Sequence, residues 1–235
     1  MPKSTVQEIR ERFDKDVERF SNLDTGQVST IDAVFSMELL TESALRLTPD
    51  AENLLDIGCG AGNYTVKMLS KNKNLHCTLV DLSKPMLDKA RERITEITTR
   101  PPVIIQADVR DAELKENNFD IILAGAVLHH LRDDADWEKT FLKLYRILRP
   151  GGCLMISDLI TQENEVLNQL TWEKYGDYLE NHGGKEYRLK VLEYVAREDS
   201  PRSLNFQLGL IKSVGFREVE ILHKNLCFGV FAGIK

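Results

Sequence analysis

Apolar residues in the first fifty positions recur every three or four residues, which is the spacing of an amphipathic helix. The apolar face of a first helix is predicted at Val6, Ile9, Phe13, Val17 and Phe20. A polar break over residues 21–26 follows, and a second helix is predicted to carry Ile31, Val34, Phe35 and Leu39. This second helix should stop near Pro49. Together the two helices form an N-terminal addition over residues 1–48.

From residue 50 to residue 160, short apolar runs alternate with segments of helical spacing. The runs predict five strands, at residues 53–57, 75–80, 103–107, 119–124 and 153–157. Ser83 is placed to cap the helix after the second strand. The helix that carries Trp137 should be closed by the Pro-Gly-Gly run at residues 150–152. This alternation predicts a Rossmann-like, doubly wound α/β sheet covered on both faces.

Residues 160–200 interrupt the alternation with a helical, acidic segment. Its aromatic residues are Trp172, Tyr175, Tyr178, Tyr187 and Tyr194. A helix over residues 204–214 and a pair of strands after Gly215 complete the chain. We expect one domain over residues 1–235, with its core at residues 50–160. Residues 1–48 and 160–200 are predicted helical lids, and residues 201–235 a C-terminal helix and strands.

Composition and charge limit the function classes. The 235 residues are 42% hydrophobic and carry a net charge of −6, which suits a globular protein and excludes a disordered chain. No block of basic residues indicates binding to nucleic acid or to an anionic membrane. Residues 1–12 lack the apolar stretch of a secretory signal, and no apolar run is long enough to span a bilayer. The four separated cysteines fit neither a disulfide framework nor a zinc site, and no other spacing predicts a metal site. We therefore expect a cytoplasmic protein without membrane contact.

Three glycines, Gly58, Gly60 and Gly62, mark the turn after the first predicted strand. Glycines at such a turn let the backbone reverse sharply and let a ligand lie against bare main chain. Their spacing departs from the dinucleotide fingerprint G-x-G-x-x-G/A, because Asn63 occupies its last position. The Gly-Lys-Ser/Thr run of a phosphate loop is also absent.

Aspartates occur at the ends of the first three predicted strands, at the edge where open α/β sheets bind ligands. Asp81 can accept hydrogen bonds from both hydroxyls of a ribose. Asp108 can accept one from an adenine amino group, while Val109 offers its backbone. Asp56, just inside the first strand, favours a cationic amino group. Together with the glycines, these residues predict a site for an adenosine that carries an amino acid and a sulfonium.

Residues 50–160 resemble the class I S-adenosylmethionine-dependent methyltransferase superfamily. The resemblance rests on the glycine loop, the acidic end of the second strand, and four further runs: Ala107-Asp108, Phe119-Asp120, Leu128-His129-His130-Leu131 and Leu148-Arg149-Pro150-Gly151-Gly152. It implies a seven-stranded sheet, mostly parallel with one antiparallel strand. It also implies S-adenosyl-L-methionine as cofactor, with S-adenosyl-L-homocysteine as product, and adds Leu82, Met86 and Ala124 to the residues that contact it.

Such an enzyme aligns an acceptor behind the methyl group for in-line displacement. We expect both lids to exclude water and to line the acceptor pocket. His129, after the fourth strand, is the candidate general base for a hydroxyl acceptor. A His-His pair also occurs in family members with many different substrates, so roles in orientation or packing stay open. Cys59 is expected to fill a small gap.

Three functions remain in competition. The first, which we expect, is methyl transfer to a small-molecule acceptor. The second is an enzyme like carboxy-S-adenosylmethionine synthase, because residues 13–22 and 227–232 resemble such synthases, which serve wobble-uridine modification in transfer RNA. Gly60-Ala61-Gly62 instead resembles an ordinary methyl-donor site. The third is a methyltransferase for transfer RNA, which the absence of a basic face disfavours. A homodimer stays open beside a monomer.

Overall fold

The computed structural model describes residues 3–22 and 27–235. Its strands are β1 (Asn53–Ile57), β2 (His76–Asp81), β3 (Val103–Gln106), β4 (Phe119–Gly125), β5 (Leu148–Leu159), β6 (Glu218–Asn225) and β7 (Phe228–Ile234). They form one seven-stranded sheet of order β3-β2-β1-β4-β5-β7-β6. The strands β1 to β5 pair in parallel, and β7 runs antiparallel to both β5 and β6. The predicted α/β sheet, mostly parallel with one antiparallel strand, is confirmed.

Helices precede the sheet and connect its strands. They are α1 (Val6–Phe13), α2 (Val17–Ser21), α3 (Ala33–Leu47), α4 (Asn63–Lys71), α5 (Lys84–Thr95), α6 (Asp134–Ile147), α7 (Glu165–Glu198) and α8 (Leu204–Ser213). The chain passes from β1 outward to β2 and β3, and then returns to place β4 on the other side of β1. The loop after β1 therefore lies at the topological switch point, where doubly wound folds bind their ligands.

Both faces of the sheet are covered, because successive residues of each buried strand point to opposite faces. Leu55 and Ile57 of β1 belong to the cluster that includes Trp137 and Phe141 of α6. Leu54 belongs to the opposite cluster, whose helical members are Leu40, Ala44, Met68, Leu69, Leu87, Ala90 and Ile94. The predicted two-sided packing of the sheet is thereby observed.

The N-terminal helix differs from its prediction, because it is broken into α1 and α2. The backbone turns at Asp14 and Lys15, whose amides donate to Arg10 and Arg12. This turn lets the Asp14 carboxylate accept a hydrogen bond of 2.6 Å from the Ser83 hydroxyl. Residues 23–26 of the predicted polar break lie outside the described residues.

The buried face of α3 also differs from its prediction. Val34 and Phe35 are exposed, whereas Met37, Leu40 and Ala44 are buried. The reason is tertiary: α3 packs on α4 and β5 with this second face. The Phe35 ring contacts the His223 ring of β6 instead, at 5.1 Å between centroids.

The Pro-Gly-Gly run does not close α6 as predicted. The helix ends at Ile147, and β5 begins directly at Leu148, where it pairs with Phe119 of β4. Residues 150–152 form an irregular section of β5, in which the Gly151 amide donates to the Lys235 carbonyl. Tertiary pairing thus extends the strand through a Pro-Gly-Gly run that by itself would favour a turn.

Within the segment at residues 160–200, α7 consists of two helical halves separated by a break at Gly184. Its buried residues Tyr175 and Leu179 pack on Ile31, Leu159 and Cys227. No helix within residues 3–22 and 27–235 is long and apolar enough to cross a membrane.

Candidate active site

A cavity of about 860 Å³ lies at the carboxyl ends of the central strands. The loops after β1, β2, β3 and β4 form its floor, at Gly60, Leu82, Asp108 and Ala126. Helices α1, α2 and α7 form its cover, and the covering aromatic side chains are Phe13, Phe20, Tyr175, Tyr187 and Tyr194. The floor is therefore built from the sequence motifs, and the cover from the helical additions.

The glycine loop presents bare main chain to this cavity. Gly60 has φ +51°, and a Cβ built there would meet no atom within 4 Å, so the space above it is open. Gly58 has φ +59°, and a Cβ there would lie 2.3 Å from Cγ2 of Val127. A side chain at Gly58 would therefore clash with the loop after β4, whereas one at Gly60 would project into the cavity.

Asp81 lines the cavity and organises the loops beside it. One carboxylate oxygen accepts the Gly60 amide at 2.8 Å, and the other accepts the Ser83 amide at 2.8 Å. Burial raises the pKa of Asp81. Each oxygen has a further lone pair, so the carboxylate fits the ribose hydroxyls of an adenosine while it holds the loop.

Asp108 accepts more hydrogen bonds within the protein than the sequence prediction assumes. The guanidinium of Arg110 donates to both of its oxygens, at 2.9 and 2.7 Å, and also to Asp136 at 2.7 Å. Burial opposes ionisation of Asp108, but the bonds from Arg110 outweigh it and lower the pKa. An adenine amino group would share this carboxylate with Arg110.

The other predicted cofactor contacts fall into two groups. Leu82, Met86 and Val109 line the cavity, as do Gly58, Gly60, Asp81 and Asp108. Asp56, Gly62 and Ala124 are buried and are not part of the described cavity wall. Contacts from these last three residues stay predictions.

The surroundings of these three residues explain their positions. Asp56 accepts a 2.7 Å hydrogen bond from the Thr65 hydroxyl, and burial raises its pKa to about 7. Gly62 is the N-cap residue of α4. Ala124 lies in the sheet core, whereas the next residue, Gly125, reaches the cavity.

His129 lies in the turn after β4 and contacts two aspartates. Its backbone amide donates to Asp158 at 3.1 Å, and its Nδ1 hydrogen-bonds the other oxygen of Asp158. Its Nε2 lies 3.7 Å from Oδ1 of Asp199. Although burial lowers the pKa of His129, the charges of Asp158 and Asp199 raise it to about 9. Burial and the neighbouring His129 lower the pKa of His130.

Tyr64, Asp158 and Asp199 are among the cavity residues that escaped the sequence analysis. Tyr64 packs its ring against Gly125, where a Cβ would lie 2.5 Å from the ring, and burial raises its pKa to about 12. Asp158 near the end of β5 follows the same strand-end rule as Asp81, so that rule could have found it. Asp199 follows α7, and no local signal marks it.

The cavity fits S-adenosyl-L-methionine by its hydrogen-bond acceptors, its bare main chain and its apolar surface. The open space at Gly60 admits a ligand against the backbone, and Asp81 offers acceptors for ribose hydroxyls. Met86 and Val109 add apolar surface for a purine ring.

Comparisons with known proteins agree with this geometry. The methyltransferase domain family matches residues 55–154. A carboxy-S-adenosyl-L-methionine synthase of Aeromonas salmonicida (strain A449) is 29% identical over 202 residues, covering 82% of this chain and 78% of that protein.

Two solved structures share the fold. A 1,6-didemethyltoxoflavin-N1-methyltransferase of Burkholderia thailandensis, with S-adenosylhomocysteine bound, matches with TM-score 0.66 and 18% identity over 100% of this chain and 92% of that chain. Human N-acetylserotonin methyltransferase in complex with SAM also has TM-score 0.66, at 17% identity. Its match covers 100% of this chain, which spans 60% of the human chain.

Residues 55–154 thus match a methyltransferase domain, and the sheet order with the glycine loop at the switch point is the fold of the two methyltransferase structures. Together these findings support an enzyme that uses S-adenosyl-L-methionine as its cofactor.

Proposed function

We propose that this enzyme transfers the methyl group to a small-molecule acceptor enclosed between the strand-end loops and helices α1, α2 and α7. The observation that carries the proposal is the cover over the cavity. The cavity volume of about 860 Å³ falls within the range of about 300–1,000 Å³ typical of small-molecule sites. A macromolecular acceptor would have to displace the cover.

The cover is attached at both ends by polar contacts, which supports enclosure. The Phe20 carbonyl accepts a 2.8 Å bond from the Asn63 side chain beside the glycine loop. At the other end, Glu198 of α7 forms an ion pair of 2.8 Å with Arg12 and accepts a hydrogen bond of 2.8 Å from the Ser4 hydroxyl. These bonds bring α1 and α2 over the cofactor loops and hold α1 to the end of α7.

When bound, S-adenosyl-L-methionine supplies an electrophilic methyl group on its sulfonium. The Gly60 backbone and Asp81 would hold the adenosine, and the aromatic cover would exclude water and orient the acceptor. His129 lines the cavity with its Nε2 beside Asp199, so it would contact the acceptor. Its role as general base stays a prediction.

Transfer of a labelled methyl group tests the acceptor class. The purified enzyme and labelled S-adenosyl-L-methionine would be offered separately to the small-molecule and transfer-RNA fractions of a cell extract. We expect label in the small-molecule fraction. Label in transfer RNA alone would contradict the proposal.

A second candidate, a synthase of carboxy-S-adenosyl-L-methionine, has support from the Aeromonas relative and from one cavity residue. Lys190 of α7 lines the cavity and has no ion pair or hydrogen bond within the described chain, so it is a free cation for a carboxylate. Mass spectrometry of the co-purifying ligand distinguishes the candidates, because a carboxylated cofactor is heavier by one CO₂. We expect S-adenosyl-L-methionine or S-adenosyl-L-homocysteine.

Oligomeric state and location stay predictions. Light scattering on the purified chain distinguishes a monomer from a homodimer. Cell fractionation measures the expected cytoplasmic location.

A further inference from the structure

We propose that His129, His130 and Asp199 bind one divalent transition-metal ion inside the cavity. The three side chains offer one ligand atom each, and these atoms all lie within 4.8 Å of one another. All three residues line the cavity. The ion site does not depend on which acceptor the enzyme uses.

The separations suit a single small ion. His130 Nδ1 lies 3.3 Å from Asp199 Oδ1, and His129 Nε2 lies 3.7 Å from the same oxygen. Ligand atoms about 2.0–2.1 Å from one tetrahedral ion are about 3.3 Å apart. All three ligand atoms lie within 4.8 Å of one another, so side-chain rotations would have to close the longest separation.

His129 is already oriented as a ligand by its other ring nitrogen. Its Nδ1 hydrogen-bonds the fully buried carboxylate of Asp158, which directs Nε2 toward His130 and Asp199. A carboxylate on the far nitrogen fixes the ring and makes the coordinating nitrogen more basic, which is how metal-binding histidines are typically supported.

Two of the ligand atoms lack hydrogen bonds. His130 Nδ1 and Asp199 Oδ1 are buried and have no hydrogen bond of acceptable geometry among the described residues, although they lie at ion-pair distance. Buried polar atoms in native proteins nearly always have a partner. Asp199 is 4% exposed and points to the two imidazoles, so an ion among the three residues would supply the missing partner.

The donor set selects the class of ion. Two imidazoles and one carboxylate suit zinc and neighbouring first-row divalent ions, whereas magnesium and calcium prefer oxygen ligands. Three protein ligands leave a fourth position, which would face the cavity.

The competing explanation is an ion-pair cluster, in which a protonated His129 bridges Asp158 and Asp199 without any metal. Metal content decides between the two. The full-length enzyme, stripped with a chelator and dialysed against Zn²⁺, should retain about one equivalent after gel filtration. Replacement of Zn²⁺ with Co²⁺ should give a visible absorption spectrum typical of nitrogen and oxygen ligands. This test uses the unmodified enzyme alone.

Variants locate the site. His130→Ala and Asp199→Asn should each weaken Zn²⁺ binding at least about a hundredfold, and Asp158→Asn about ten- to a hundredfold, because Asp158 supports His129 indirectly. His223→Ala is the matched control, since His223 also contacts an aspartate, Asp32, at 2.9 Å, but outside the cavity. It should bind Zn²⁺ like the unmodified enzyme.

Binding of S-adenosyl-L-homocysteine by each variant verifies that it is folded. Absence of bound Zn²⁺ and of a Co²⁺ spectrum in the unmodified enzyme would overturn the proposal, and so would affinity unchanged in both ligand variants. Either result would leave the ion-pair cluster as the explanation.

Discussion

Carboxylates near the cavity have different partners, and the partner decides what each side chain can do. Asp81 accepts backbone amides and keeps lone pairs for a ligand, whereas Asp108 is engaged on both oxygens by Arg110. Asp56 accepts a hydrogen bond from the hydroxyl of Thr65. At the scale of single residues, Asp81 is therefore the best placed of the three to hold a neutral sugar.

Replacement of Asp81 by alanine should weaken binding of S-adenosyl-L-homocysteine about ten- to a hundredfold. The carboxylate would lose hydrogen bonds to ribose worth about 1.5–3 kcal/mol each, in part replaced by water. The Gly60 amide would also lose its acceptor. Calorimetry measures the change, with Asp88→Ala on the exposed face of α5 as control. Unchanged affinity would show that Asp81 only stabilises the backbone turn and does not bind the ligand.

Asp56 should make the stability of the enzyme depend on pH. In the unfolded chain an aspartate loses its proton near pH 4, whereas burial raises the pKa of the folded Asp56 to about 7. A raised carboxyl pKa stabilises the fold below the unfolded pKa, and this contribution is lost as pH rises through the folded one. Asparagine at this position cannot ionise.

The stability of Asp56→Asn relative to the unmodified enzyme should therefore increase by about 2–3 kcal/mol between about pH 5 and about pH 8. Urea unfolding of both proteins at the two pH values measures this difference. Asp88→Asn, at an exposed position, is the control for the pH dependence that such a substitution causes without burial. A pH-independent difference would show that Asp56 stays ionised in the fold.

At the scale of elements, the break in α7 depends on one residue. Gly184 has φ +78° and ψ 179°, a region of backbone space that is essentially restricted to glycine. The break separates the half of α7 that packs Tyr175 and Leu179 from the half that carries Tyr194 over the cavity. The path of the cover therefore follows from this conformation.

Gly184→Ala should destabilise the enzyme by about 1–3 kcal/mol through backbone strain, since a Cβ there would meet no neighbour. Gly209→Ala is the matched control. A Cβ at Gly209, inside α8, would also meet no neighbour, but its backbone is helical, so alanine should stabilise it by about 0.5–1 kcal/mol. Thermal unfolding measures both, and changes of the same sign would contradict the expectation.

At the scale of the whole molecule, the cover and the cofactor loops form one connected unit. Asp14 accepts from Ser83 after β2, and Phe20 accepts from Asn63 after β1. Arg132, beyond the turn after β4, donates to the carbonyls of Ser4 and Glu198. A ligand that orders the loops should therefore also order α1, α2 and α7.

Addition of S-adenosyl-L-homocysteine should slow amide hydrogen exchange in α1, α2 and the second half of α7. Exchange in β6, at the far edge of the sheet, should not change and serves as the internal control.

Deletion of residues 1–25 should reduce turnover more than cofactor affinity, because the adenosine contacts come from the strand-end loops. Exchange insensitive to the ligand, together with full turnover after truncation, would show that these helices only pack on the sheet.

The sequence by itself determined the sheet and the floor of the site. Strand positions, the glycine turn and Asp81 follow from alternating apolar runs and strand-end chemistry, which act over a few residues. That is why β1 occupies its predicted residues and why Gly58, Gly60 and Asp81 all line one cavity.

The tertiary structure alone decided which side chains meet. His129 and Asp199 are 70 positions apart, and α7 must fold back over the strand ends before they approach. Local periodicity also missed the break between α1 and α2 and the buried face of α3, because contacts with Ser83, α4 and β5 select them. Burial of Asp56 and Ala124 behind the cavity surface has the same origin: the depth of a residue depends on what packs above it.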